Sequence, residues 1–110
     1  MHEFGLAEGV LDAVQRRAGG RPVRRVRLRA GIRHGVDPES MAQAFQFVSG
    51  GTEAEGAVLD VVPIPVQLTC RSCGYAEDTL DLLAACPQCH GDAVDLAGGD
   101  ELVLESLEYR

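Results

Sequence analysis

The residues best equipped for chemistry are four cysteines in two short pairs, Cys70-x2-Cys73 and Cys86-x2-Cys89, twelve residues apart within CRSCGYAEDTLDLLAACPQCHG. Each pair can close a tight knuckle whose sulfurs converge, and two such knuckles supply the four thiolates of a tetrahedral zinc site. Gly74 and Gly91 follow the knuckles, where a positive φ is commonly needed. Other uses of paired cysteines fit less well. Two disulfides suit a secreted chain, and no targeting segment is seen. A redox CxxC usually occurs once, beside a βαβ pattern. Rubredoxin-like iron usually lies among aromatic side chains, and only 5% of this sequence is aromatic. Four thiolates also close the coordination sphere and leave no position for a catalytic water, so the zinc is expected to be structural. His90, directly after Cys89, reads as a solvated turn residue, the alternative being an auxiliary partner or substitute ligand of the zinc. His34, in the loop GIRHG, reads as solvated too.

A second constellation stands at Met1-His2-Glu3. The terminal amine, the backbone nitrogens of His2 and Glu3 and the His2 imidazole lie within a few bonds of one another, and square-planar nitrogen sets suit Ni(II) and Cu(II). On chemistry alone the signal is weak, because chain starts usually fray and any Met-His start offers these atoms. Nothing else suggests an active site. There is no phosphate loop, nucleophile elbow, HExxH or helix-borne carboxylate set, and no enzymatic activity is expected.

The elements that must position these residues can be read from periodicity. Phe4, Ala7, Leu11, Val14 and Ala18 recur at helical spacing over 2–18, with Gly19, Gly20 and Pro22 as the stop and Gly5 and Gly9 weakening the start. Arg25, Arg27 and Arg29 alternate with Val26, Leu28 and Ala30 as a half-buried strand would, placing the arginines on a solvated face opposite acidic neighbours. Asp37 and Pro38 begin a second helix with the apolar stripe Met41, Ala44, Phe45 and Val48, ended by SGG. AVLDVVPI at 57–64 and ELVLESLEY at the end read as strands.

These elements predict an α+β fold, a small three-stranded, mainly antiparallel sheet covered on one face by two helices, with Phe45, Val48, Val26, Leu28, Val62 and Leu104 in the core. Residues 1–65 and 100–110 form this domain. Residues 66–99 form an inserted four-cysteine zinc ribbon with its own hairpin, too poor in apolar residues to fold without metal.

The chain has 110 residues and a net charge of −7, and all its basic residues are arginine. The sign argues against a nucleic-acid binder, and no stretch is long and apolar enough for a membrane span or secretory segment, so a cytoplasmic protein without membrane contact is expected. A zinc-ribbon adaptor for protein or nucleic acid without a second metal is the alternative reading.

Taken in order, Met1-His2-Glu3 with Leu6, then Gly31, Val36, Pro38 and Glu39, then Ala44-Phe45, Gly51-Thr52, Glu55-Gly56-Ala57 and Leu59, and finally CRSCG and CPQCHG, resemble the HypA/HybF family of hydrogenase nickel-incorporation proteins over essentially the whole chain. Gly5 and Gly35 depart from the family, where serine is common. The resemblance implies a nickel metallochaperone whose Ni(II) site is built from Met1, His2 and Glu3 and whose zinc is held by Cys70, Cys73, Cys86 and Cys89. It further implies a maturation GTPase and the [NiFe] hydrogenase large-subunit precursor as partners, for a monomer or weak homodimer. It also explains a histidine at the second position, since the amine itself would be a donor.

Overall fold

The computed structural model describes residues 2–110, and Met1 and the His2 side chain lie outside the described residues. The elements run α1 (His2–Ala18), β1 (Val23–Gly31), a short 3-10 turn (Ile32–His34), α2 (Pro38–Ser49), β2 (Val58–Ile64), β3 (Val66–Cys70), β4 (Ala76–Thr79), β5 (Val94–Ala97) and β6 (Leu102–Tyr109). They divide into two compact units. The first holds the N-terminal segment to Arg29, Val36–Val62 and Leu102–Arg110, and the second holds Ala30–Gly35 and Pro63–Glu101.

In the first unit α1 buries Ala7, Val10, Val14 and Ala18, a stripe at helical spacing. Extended back one turn, that stripe passes through position 3, which puts Phe4 off the seam. Phe4, the first residue of the expected helical spacing, is 38% exposed, its ring set edge-on against Phe47 of α2. α2 starts as its sequence dictates. The Asp37 carboxylate accepts from the Ser40 backbone N–H at 3.0 Å and from its hydroxyl at 2.8 Å, and Pro38 occupies the first turn, where no amide is needed. Met41, Ala44 and Phe45 are buried against α1 and the sheet, and Val48 is half-buried beside them.

The sheet has the order β2-β1-β6, so the arginine-rich strand is central. β1 and β6 are antiparallel: Arg110 donates to the Pro22 carbonyl, Arg24 pairs with Glu108, and Arg27 with Glu105, one sequence descending as the other ascends. Val23, Val26 and Leu28 face the core, while Arg24, Arg25, Arg27 and Arg29 face carboxylates of Asp60, Glu105 and Glu108 on the flanking strands. These pairs are half-exposed, and such pairs contribute at most about 1 kcal/mol each. Their main effect is to make the outer face soluble. One core assignment changes: Val62 points away from the core and Val61 packs on it, because Leu59 faces inward and a strand alternates with period 2. Leu104 packs on the core partly buried.

The second unit is a three-stranded antiparallel sheet of order β4-β3-β5, with Leu68 opposite Glu77 on one side and Leu96 on the other. It is thus the expected hairpin, β3 with β4, plus a third strand. Its buried hydrophobic interior is small: Ala30, Val66, Leu68, Cys70 and Cys86. Two glycines allow a close backbone approach within it. A Cβ on Gly31 would stand 2.0 Å from the Gly99 carbonyl oxygen, and Gly99 itself has φ +78°.

Glycines at different places should therefore answer alanine in opposite ways. Gly9→Ala has open space and removes helix-interior entropy, so chemical denaturation should show a gain of about 0.5–1 kcal/mol. Gly31→Ala should cost about 1–3 kcal/mol in the same measurement.

Candidate metal centre

Both cysteine pairs fold into the same local device. Cys70 ends β3; after it the chain reverses through 71–74, the Gly74 N–H donates to the Cys70 carbonyl at 2.9 Å, and Gly74 takes φ 78°. In the second knuckle the His90 N–H donates to the Cys86 carbonyl at 2.8 Å, and His90 takes φ 66°. The left-handed position expected at Gly91 therefore falls one residue earlier, on a side chain that bears its steric cost. Gly91 has a different constraint, since a Cβ there would lie 3.4 Å from the Cys89 sulfur.

The knuckles bring all four sulfurs within 4.8 Å of one another. Cys70 Sγ lies 3.7 Å from Cys89 Sγ and Cys73 Sγ lies 3.7 Å from Cys86 Sγ, each contact crossing between the knuckles. No disulfide joins them. A regular tetrahedron of sulfurs around zinc at the usual 2.3 Å bond length has an edge of about 3.8 Å, so the donors fit zinc in number, kind and separation. Cys70 and Cys86 are buried while Cys73 and Cys89 are exposed. The backbone N–H groups of Gln88 and Cys89 point at Cys86 Sγ, at 3.4 and 3.5 Å, as donors do toward a thiolate. His90 is exposed and is not among the residues whose donor atoms converge.

Electrostatics separates the thiols. The backbone N–H of Cys73 is the chief influence holding Cys70 down to about 7, helped by the N–H of Ser72 and by neighbouring thiols. At Cys73 the N–H of Tyr75 acts downward, but partial desolvation of the sulfur and the surrounding thiols outweigh it and push that thiol up to about 12. Four negative sulfurs cannot share so small a volume without a cation. A divalent metal bound here must displace protons, and its affinity must fall on acidification.

Other contacts of the second unit involve residues that sequence reasoning passed over or read as solvated. Arg33 donates to the carbonyls of Leu96 and Gly98, both at 2.7 Å, and His34 Nε2 lies 2.9 Å from the Asp100 carbonyl oxygen. His34 is half-buried, not solvated as its loop suggested. Arg71, between the first two cysteines, pairs with Asp95 on β5. A short, arginine-bearing loop gave no periodic signal that could reveal these contacts.

The N-terminal constellation is placed only in part. His2 begins α1, Glu3 follows in its first turn and is half-buried, and the Met1 and His2 side-chain proposals lie outside the described residues.

Two predictions follow from the cysteine geometry. Chelation of the bound metal should abolish the dispersed amide NMR signals of β3, β4 and β5, because their apolar interior is too small to hold them. His90→Gly should raise the melting stability of the metal-loaded protein by about 1 kcal/mol and leave metal affinity unchanged; loss of affinity would show the imidazole to be a ligand.

Residues 1–109 match the family model described as "Hydrogenase/urease nickel incorporation, metallochaperone, hypA". The hydrogenase maturation factor HypA of Acidithiobacillus ferrooxidans is 37% identical over 111 residues, covering 98% of both chains. That of Rhodobacter capsulatus is 36% identical with 98% of each chain covered. Among solved structures, the solution structure of the Ni metallochaperone HypA from Helicobacter pylori superposes with a TM-score of 0.61 at 26% identity, over 97% of this chain and 96% of that one. The chain belongs to the HypA family of hydrogenase maturation factors.

Proposed function

We propose that this HypA family member captures Ni(II) at its N-terminus and delivers it to the large-subunit precursor of a [NiFe] hydrogenase, while the four cysteines hold a structural zinc. The observation that carries the reading is the family match from residue 1 to 109, which includes both Met1-His2-Glu3 and the two cysteine pairs. In this reading Met1 supplies its amine, His2 its imidazole, and the first backbone nitrogens complete a square-planar set, with Glu3 at or beside it. α1 begins at His2, and first-turn amides of a helix have no acceptor in that helix, so the backbone there can change partners without unwinding the rest.

The chain acts by holding and releasing, with no bond-making chemistry. Deprotonation of the amine and imidazole accompanies nickel capture, so acid weakens it; a site at the start of a helix exposes the metal to ligand exchange with a receiver. Residues 66–99 serve as the zinc domain, and 1–65 with 100–110 as the nickel domain. A maturation GTPase gates or supplies the nickel. The protein works in the cytoplasm as a monomer or weak homodimer, without nucleic acid or membrane. Cys70, Cys73, Cys86 and Cys89 would hold zinc, which supplies cohesion to the second unit and no reaction.

Calorimetric nickel titration of the zinc-loaded protein tests this. One site is expected with the native terminus, weakened by about tenfold or more in both an N-terminally extended form and His2→Ala, with the melting profile and cysteine-held metal unchanged. Equal binding by all three forms would make the terminus ordinary and the protein a metal-stabilised interaction module.

A further inference from the structure

Two of the four sulfurs stand at the surface, and they come from different knuckles. Cys73 and Cys89 are exposed while Cys70 and Cys86 are buried. Each exposed sulfur has a buried one of the other knuckle 3.7 Å away, Cys89 beside Cys70 and Cys73 beside Cys86. A buried structural thiolate is inert, whereas an exposed one meets oxidants in solution.

The surroundings of the sulfurs differ too. Cys86 accepts from the N–H groups of Gln88 and Cys89, Cys70 from those of Cys73 and Ser72, and Cys73 from that of Tyr75. Each such bond stabilises charge on a thiolate and makes it a poorer nucleophile. Beside the exposed Cys89 sits Gly91, where a Cβ would stand 3.4 Å from the sulfur, so the glycine leaves that approach open. The wider field selects the oxidant. Ala30–Gly35 and Pro63–Glu101 carry seven acidic residues against two arginines, Arg33 and Arg71, the first held by backbone carbonyls and the second paired with Asp95. Such a field repels anions and leaves uncharged hydrogen peroxide free to enter.

We propose that Cys89 is a peroxide-sensitive modification site: hydrogen peroxide oxidises its sulfur, Cys70 closes a disulfide on it, and the chain lets its metal go. The proposal goes beyond nickel delivery and rests only on a metal being held by these four thiolates. In the first step the Cys89 sulfur attacks one peroxide oxygen. An S–O bond forms, the O–O bond breaks and hydroxide leaves, so the sulfur is oxidised to a sulfenic acid and the peroxide is reduced. In the second step the Cys70 thiolate attacks the Cys89 sulfur; an S–S bond forms and the S–O bond breaks with departure of a second hydroxide. Cys73 and Cys86 repeat both steps with a second peroxide. Four thiolates thus become two disulfides, and no sulfur charge remains to hold a divalent cation. Because each link joins one knuckle to the other, β3 and the chain before β5 stay tied after the metal has gone.

Titration of the zinc-loaded full chain with hydrogen peroxide tests this, with metal release read by a chromogenic chelator and connectivity by mass spectrometry of the unreduced digest. One zinc is expected to leave as two disulfides form, Cys70 with Cys89 and Cys73 with Cys86, and dimedone added during oxidation should label Cys89 first. Gly91→Ala should slow release about threefold by covering the Cys89 sulfur, with zinc content and melting profile unchanged. Disulfides inside each CxxC pair, first labelling at Cys73, zinc retained by the oxidised chain, or release from Gly91→Ala at the unaltered rate would each overturn the proposal. Zinc content measured before peroxide is added separates the premise from the inference: a reduced chain without zinc would overturn the metal assignment and the proposal with it.

Discussion

Four sulfurs within 4.8 Å of one another are an unstable arrangement for bare thiolates and a favourable one around a divalent cation. The second unit is organised around that fact. Its two fully buried aliphatic side chains, Val66 and Leu68, cannot offset the backbone entropy of three ordered strands. The knuckles are therefore more than decorations on a stable sheet. β3 ends at a ligand, β4 begins where its knuckle closes, and β5 is anchored to Arg71 in that knuckle through Asp95 and the Ala93 carbonyl.

The first unit has the opposite economy. A central strand with Val23, Val26 and Leu28 inward, two helices packed through alanine, valine and one phenylalanine, and an outer face of arginine and carboxylate give it a conventional apolar core with no need of metal. The small side chains Ala7, Ala44, Ala54 and Ala57 let its elements approach closely, and Ser49, the single buried polar residue among those described, bonds to the Gln46 carbonyl. Rigid support for the start of α1 thus comes from ordinary packing.

How legible this was in the sequence depended on the kind of signal. Repetition was readable: the bounds of α1 and α2, the alternating β1, and the cysteine pairs all follow from periodicity, capping or ligand spacing. Phase was less so. Phe4 and Val62 each sit one position off the buried face, and apolar identity alone does not distinguish a seam residue from its neighbour. Conformation within a knuckle was misjudged by one residue, because His90 adopts the left-handed turn that glycine chemistry suggested for Gly91. The clasp of Arg33 and His34 on the 96–100 backbone lay beyond reach, since it joins residues more than sixty apart through carbonyls that any residue provides.

The pairing of β1 with β6 has a consequence in time as well as in space. These neighbours in one sheet are separated in sequence by α2, β2 and the whole four-cysteine region, so the last strand of the first unit emerges from the ribosome after the second unit's chain is complete. Non-local strand pairing is slow because the intervening loop must first be closed, and a segment already compacted by its metal shortens that loop. A metal held at the knuckles would in this way favour closure of the β1–β6 pair. Until β6 pairs, the edge of β1 is bare, and an unpaired strand edge is a site for association between chains.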